Sequence, residues 1–504
     1  MSKAFAFRTV SEDRPRSRQP AGQAPSLHLP GQMSQICVVI FLTLVVPLGI
    51  ILAFVTPLGG VADETAHALR AESLSHGDIL GFRALIHLPD GSPRIAAGVL
   101  ADPGIAAAAT VRGPGDWVTS DRMRAARAAQ WQGQRSFAEI TPLALYMPVF
   151  YVPAALTIAG IRLIDLRPAD AFLAARLVNF AIFAVIGMLA LTVARRGHAI
   201  LLCTLALPME VSLAASLNQD GLLIAVTVLA VALLTRHADE PTSSMTISPA
   251  WIAAAALLGL VALAKIPYAG LLLLPVFPLA WSRACRLRLM LAALCAVPAL
   301  GWAAYAMAHI ATPWPPLPPY HAGPLWPGAT HPIFTSPDSA AQVKVLAARP
   351  WRIVTLTLQS LWAKKAILLE FIGILGFVSV RLPSSVYALW GLALLSAAIA
   401  DRKGSQPSGF GTRDQCALAV MLGLIVIAIY MSQYLSWTPV GFPIVIGPTG
   451  RYFLPLLPAT VVLIPRLPLP AVLGRGIFLL PLVIAAIVSL IVTPLCVLDA
   501  FYAP

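Results

Sequence analysis

Residues 37–81 read CVVIFLTLVVPLGIILAFVTPL and then, without a linker, GGVADETAHALRAESLSHGDILG. The first part carries no charge and is long enough to cross a hydrocarbon core as a helix. The second crowds Asp63, Glu64, His67, Arg70, Glu72, His76 and Asp78 into one short window. In a chain that is 58% hydrophobic and only 11% charged, that crowding beside a membrane span needs a cause. Wound as a helix that ends at Gly77, the window puts Asp63, His67 and Arg70 at i, i+4 and i+7, on one face.

The rest of the chain extends the first reading. At 504 residues and a mean hydropathy of +0.80, there is too little polar surface to cover a soluble fold of this size. Apolar runs alternate with short polar breaks, the pattern of a helical bundle rather than of an outer-membrane barrel. The net charge of +13 sits mostly in short loops, as the positive-inside rule expects, and no basic, aromatic module for nucleic acid accompanies it. Cys37, Cys203, Cys285, Cys295, Cys416 and Cys496 lie in or beside apolar runs without CxxC spacing and read as small core residues.

Residues 1–34 are polar, Pro-rich and basic, which predicts a disordered cytoplasmic tail. The run 37–58 then acts as an uncleaved signal anchor. Further apolar runs fall at about 172–194, 199–217, 221–235, 250–264, 268–282, 289–308, 385–400, 415–434, 452–465 and 476–497. Basic breaks follow at Arg195/Arg196, Arg236, Arg283/Arg286/Arg288, Arg402/Lys403/Arg413 and Arg466/Arg475. All fall on the cytoplasmic side if the Pro-interrupted run 141–161 lies at the interface, and all flip outward if it crosses. The expected fold is therefore an all-α integral membrane protein of about 11 transmembrane helices (range 10–13), with the N-terminus cytoplasmic. Residues 35–500 form the membrane domain, residues 59–171 a long first external loop with interfacial helices, and residues 309–384 a second large external segment.

This topology brings several polar groups to one outer face. Asp63 and Glu64 begin the acidic window; capping explains one acid there but not two with a histidine and an arginine on the following turns. They suit a general base on a hydroxyl, tuned by His67 or Arg70, or else a divalent-metal site whose other ligands the sequence does not locate. Asp220, in SLNQDGLL, is placed either to cap the next helix or to face the same cavity. Lys265 and Arg451, at the outer ends of spans where basic residues are disfavoured, suit an anion, with Tyr452 beside the arginine and Arg176 a weaker candidate of the same kind. Trp314, His321 and His331 lie in a Pro-rich loop and read as solvated. No P-loop, GxGxxG, GxSxG or HExxH is present, which argues against nucleotide hydrolysis and soluble-type hydride transfer.

The order PLGGVADETAHALRAESLSHGDI, PLALYMPVFYVPAAL, ARLVNF, LPMEVSLAASLNQDGLLIA, KIPYAGLLLLP, FIGILGF and YLSWTPVGFPIVIGPTGRYFLPLLP resembles a large family of bacterial membrane proteins known only as a domain of unknown function. That family is grouped with the GT-C glycosyltransferase superfamily. The resemblance spans residues 37–465 and implies a GT-C-like bundle, an acid in the first external loop and a sugar donor carried on a polyprenyl phosphate. Asp63 and Glu64 match the first-loop acidic position, Asp220 the later one, and Arg451 and Lys265 would face the lipid phosphate. Gly-Gly-Val-Ala stands before the acids where the pattern carries a proline.

The expected activity is transfer of a sugar from a polyprenyl-phosphate donor to a cell-envelope glycan or lipid acceptor on the periplasmic side of the bacterial inner membrane. Asp63, or else Glu64, is the base, and a single base without a covalent intermediate inverts the anomeric centre. The rival classes are a transporter of polysaccharide or lipid-linked intermediates and a non-catalytic assembly subunit.

Overall fold

The computed structural model describes residues 31–503 apart from 89–90, 112, 114, 142, 238–247, 279–282, 313–337, 403–410 and 464–474. Nearly all of the expected tail, Trp314, His321, His331, Lys403 and Arg466 lie outside the described residues.

The chain opens with α1 (Gln32–Val55), which carries a π-helical turn at Phe41–Val45 just ahead of Pro47. Proline has no N–H to give and its ring crowds the preceding turn, so the helix loosens there. Helix α2 (Glu64–Ser75) follows and stops two residues before Gly77, as the window predicts. Next comes a three-stranded antiparallel sheet in the order β1 (Phe82–His87), β2 (Pro93–Ala101), β3 (Ser136–Glu139). Phe82 pairs with Gly98, and Gly98 in turn with Glu139. The sequence reading treats this region as a polar excursion with interfacial helices, so the sheet is a correction. Small residues let it form: Ala96, Ala97 and Gly98 in β2 allow close approach, and a Cβ on Gly98 would fall 2.1 Å from the Ala138 carbonyl oxygen.

The run 141–161 breaks at its prolines into 3₁₀ turns and α3 (Val152–Leu163). At 12 residues α3 is roughly 18 Å long, well short of a bilayer core of about 30 Å. Then come α4 (Pro168–Val193), α5 (His198–Ala206), α6 (Pro208–Ala214), α7 (Gln219–Arg236) and α8 (Pro249–Ala264). A 3₁₀ segment, Ile266–Val276, leads to α9 (Cys285–His309). The remaining elements used below are α10 (Ile367–Gly373), α11 (Ser384–Asp401), α12 (Thr412–Ser436), the 3₁₀ segment Gly450–Leu456 and α13 (Ile477–Tyr502).

Seven of these helices, α1, α4, α7, α9, α11, α12 and α13, are long and apolar enough to cross a membrane among the described residues. Of the four expected spans outside this set, 250–264 is the 16-residue helix α8, shorter than the seven, and the other three take other forms. The run 199–217 splits into α5 and α6 at Pro208, because the residue before a proline is pushed out of the helical region and Leu207 is extended. Every residue of both short helices is buried, so they fill the bundle rather than face lipid. Runs 268–282 and 452–465 begin as 3₁₀ segments interrupted by Pro275 and Pro455. Helix α7 is the most enclosed of the seven, whereas Met290, Leu395, Val420 and Ile491 on the outer helices present bare apolar side chains, as lipid-facing residues do.

Candidate functional site

Asp63 occupies the N-cap position of α2 with φ 62° and ψ 8°, and its side chain makes no capping bond. A left-handed backbone costs a non-glycine residue about 1–2 kcal/mol, least for Asp and Asn, so strain is held where the carboxylate is left free. The turn into this position requires Gly59, at φ 80°, where a Cβ would fall 2.4 Å from the Val111 carbonyl oxygen. Released from the helix end, the Asp63 carboxylate points into a cavity of roughly 1070 Å³.

Three groups from distant parts of the chain meet it there. Arg451 donates from Nη2 to Asp63 Oδ2 at 2.7 Å, and its Nε lies 4.0 Å from Asp220 Oδ2. Lys265 Nζ is 2.5 Å from Asp220 Oδ1 and stands 5.2 Å and 5.0 Å from the ring centres of Tyr146 and Tyr452. The charges therefore alternate along one line, Asp63, Arg451, Asp220, Lys265, and cancel. Local structure explains how each is presented. Asn218 caps α7 by accepting the Asp220 N–H at 2.9 Å, which leaves the Asp220 carboxylate for the cavity. Lys265 sits at the end of α8 in an extended conformation, where the chain turns into the 3₁₀ segment Ile266–Val276.

Arg451 is clamped from behind. The Gly450 N–H donates to Glu370 Oε2 at 3.0 Å, and Lys364 Nζ bridges Glu370 Oε1 and the Pro448 carbonyl, each at 2.9 Å. Gly450 admits no side chain, since a Cβ there would lie 2.1 Å from the Phe371 backbone nitrogen. Nothing local in the sequence marks Glu370 and Lys364 as the seat of Arg451. Tyr146 and Tyr268, which also line the cavity, were likewise missed; the Tyr268 hydroxyl donates to the Tyr452 carbonyl at 2.9 Å.

The electrostatics follow from this packing. Burial would raise the Asp63 pKa, but the charge and hydrogen bond of Arg451, helped by His67 and Lys265, outweigh it and hold the carboxyl below its usual range. His67 also lines the cavity; burial dominates and pushes its imidazole down to about 3, so it is neutral at physiological pH. Its Nδ1 lies 2.6 Å from the Tyr151 hydroxyl.

The other candidates point elsewhere. Glu64 is fully buried and grips Arg176 in a bidentate pair, with Nε to Oε1 at 2.7 Å and Nη2 to Oε2 at 2.5 Å. Arg176 also donates to the carbonyls of Ala53, Thr56 and Pro57, while Glu64 accepts the Leu217 N–H at 3.2 Å. This knot ties the end of α1 to α4 and to the turn before α7, and neither residue lines the cavity. Arg70 donates to the carbonyls of Asp78, Ile79 and Tyr146, so it holds the chain that leaves α2 instead of sharing a working face with Asp63. Glu72 bonds the Asp102 N–H at 2.9 Å and pairs with Arg162 at 3.1 Å. Of the crowded window, then, Asp63 and His67 line the cavity, Glu64 ties the bundle together, and Arg70 and Glu72 hold the long loop that follows α1 in place. Among the described residues, no group of three or more His, Cys, Asp or Glu stands together as a metal-ligand set.

Long apolar helices around a charge-lined cavity define a mostly helical, multi-spanning membrane protein. The chain belongs to DUF2142, a family of predicted membrane proteins, whose profile matches residues 47–460. No curated protein and no solved structure matches it.

Proposed function

We propose that this protein is a membrane glycosyltransferase that moves a sugar from a polyprenyl-phosphate donor to a cell-envelope acceptor. The observation that carries the reading is the convergence of Asp63, Asp220, Lys265 and Arg451 on one cavity. Group transfer from a lipid phosphate needs a base for the acceptor proton and cations for the departing phosphate, and the cavity supplies both types side by side. Ala299, Ala303 and Ala306 of α9 and Ile429 and Leu435 of α12 give it apolar walls suited to an isoprenoid chain.

In this mechanism the acceptor oxygen attacks the anomeric carbon while Asp63 takes its proton. The bond from that carbon to the phosphate oxygen breaks, and its electron pair leaves on the phosphate. Arg451 and Lys265 neutralise the growing charge. A phosphate that draws Arg451 away from Asp63 also removes the cation that keeps the carboxyl acidic, so donor binding makes the base stronger. The inverting, GT-C-like assignment belongs to the same reading. So does a topology of about eleven crossings, made from the seven long helices and the shorter apolar segments, with the N-terminus cytoplasmic and the cavity periplasmic in the inner membrane.

The test is transfer by the purified full chain in nanodiscs, given radiolabelled polyprenyl-phosphate sugars and envelope glycan as acceptor. Asp63→Asn and Arg451→Ala should each lower turnover by about 100-fold or more with unchanged thermal unfolding. Full activity in Asp63→Asn sinks the base assignment, and absence of transfer from every donor sinks the reading.

A further inference from the structure

A second polar cluster lines the same cavity, on the sheet rather than in the bundle. Arg94 of β2 donates from Nη2 to Glu139 Oε2 at 2.6 Å, and the Thr141 hydroxyl donates to Glu139 Oε1 at 3.1 Å. Residues 94, 96 and 98 share one face of β2, and Glu139 is the register partner of Gly98. Arg94 therefore reaches Glu139 across Ala96 and Gly98, which are too small to obstruct it.

A cross-strand ion pair is usually only a brace. Another Arg–Glu pair shows what a buried brace looks like here: Arg176 engages Glu64 through two nitrogens, and its remaining bonds go to backbone carbonyls. Arg94 instead spends one nitrogen on Glu139, and its Nε and Nη1 are buried without a partner. A guanidinium left with unused donors at a cavity wall is unfinished in the free protein, because buried donors are normally satisfied.

We propose that Arg94, Glu139 and Thr141 form a binding site for the vicinal hydroxyls of a sugar. The pair is neutral overall, which disfavours an anion. It offers donors on Arg94 and spare lone pairs on Glu139 and Thr141 within one cluster, and adjacent hydroxyls need that mixture of donor and acceptor. Trp302, on the same cavity wall and anchored through Nε1 to the Leu145 carbonyl at 2.9 Å, adds an aromatic ring for the apolar face of a pyranose. That the sugar held here is the acceptor of transfer rests on the reading above; binding of the sugar does not.

Saturation-transfer NMR of the full chain in nanodiscs, with D-glucose, D-galactose, D-mannose and L-rhamnose as probes, tests the site without requiring turnover. At least one pyranose should receive saturation from the wild type. Arg94→Lys and Glu139→Gln should each weaken its binding roughly tenfold, the scale of a lost hydrogen bond to a charged group. Thr141→Val, which keeps the ion pair, should weaken it as well. Silence with all four sugars, a signal indifferent to Arg94→Lys and Glu139→Gln, or displacement of the sugar by inorganic phosphate at Arg94 each overturns the proposal. Sugar binding without transfer in any assay leaves this site standing and removes the transferase reading. Transfer with an acceptor KM unchanged in Glu139→Gln does the reverse.

Discussion

Arg451 reaches Asp63 across 388 positions of sequence, with Nη2 2.7 Å from Oδ2. That contact sets the acidity of the proposed base, because the guanidinium favours the ionised carboxyl against the opposing effect of burial. The sign is that of a depressed carboxyl: the pairing is present above the ordinary Asp value of 3.8 and is lost only as pH falls through the lower, folded value. Mild acid therefore should not break it. Arg451→Gln removes the largest favourable influence, leaves burial in command and should move the acid limb of any pH–rate profile to higher pH. An acid limb that stays put in Arg451→Gln assigns it to another group.

His67 predicts a second, separable pH effect. Its imidazole titrates near 3 in the folded chain against 6.5 unfolded, so below 6.5 the unfolded state binds the extra proton and stability drops as pH falls. Between pH 7 and pH 5 that loss amounts to about 2 kcal/mol. Thermal unfolding of His67→Gln should be flatter than that of the wild type over the same interval. Equal slopes would show that the imidazole is not held neutral.

Two neighbouring acids should behave as opposites. Glu64→Ala strands Arg176 in the core, and breaking a buried pair from one side typically costs about 3–5 kcal/mol. Arg176→Ala should cost as much, and the double variant should cost less than the sum. Asp63→Gly, by contrast, relieves the left-handed backbone, removes only the half-exposed carboxylate and leaves Arg451 beside Asp220, so it should change stability by no more than about 1 kcal/mol while lowering turnover. Chemical denaturation alongside activity separates the two outcomes. Equal destabilisation by Glu64→Ala and Asp63→Gly would contradict these roles.

Much of the candidate site was legible because charge is conspicuous in a chain this apolar. Asp63, Asp220, Lys265 and Arg451 each stand near the end of an apolar run, with His67 one turn beyond Asp63, and parity of the basic loops assigns those ends to one expected face. Sequence could not separate Asp63 from Glu64, since the separation depends on one left-handed residue that turns adjacent carboxylates apart. Arg70 and Arg176 misled for a related reason: a guanidinium that serves backbone carbonyls looks, in sequence, like one that waits for a phosphate. The long helices α1, α4 and α12 were plain from hydropathy, whereas Pro208, Pro275 and Pro455 cut other apolar runs into short or 3₁₀ pieces that a window average hides. A cue to the sheet was available in Asp90-Gly91, a hairpin dipeptide between FRALIH and PRIAAGVLA, but the small residues of β2 do not alternate as a strand usually does.

The seat of Arg451 gives a positional prediction. Gly450→Ala forces a methyl against the Phe371 backbone, which cannot swing aside as a side chain would. Overpacking of this kind costs about 1–3 kcal/mol and should displace Arg451 from Asp63. Glu370→Gln keeps an acceptor for the Gly450 N–H but loses the charge that holds Lys364, so its effect should be smaller and should fall on substrate affinity more than on unfolding temperature. If Gly450→Ala leaves both activity and stability intact, the clamp does not position the arginine.

The proposed sidedness rests on the basic breaks. Arg195 lies just beyond α4, on the side opposite to Asp63 in the proposed topology, while Arg124 lies in the external loop with its side chain 79% exposed. In a chain whose exposed Cys416 is replaced by serine, Arg124→Cys should react with a membrane-impermeant maleimide in intact spheroplasts. Arg195→Cys should react only once the membrane is opened or inverted. The opposite pattern would turn the cavity toward the cytoplasm, where polyprenyl-phosphate sugars are made rather than used for external assembly, and the transferase reading would lose its acceptor compartment. Labelling of both sites from one side would instead require the chain between them to cross an even number of times, which a single passage through α4 does not allow unless α3 also enters the membrane.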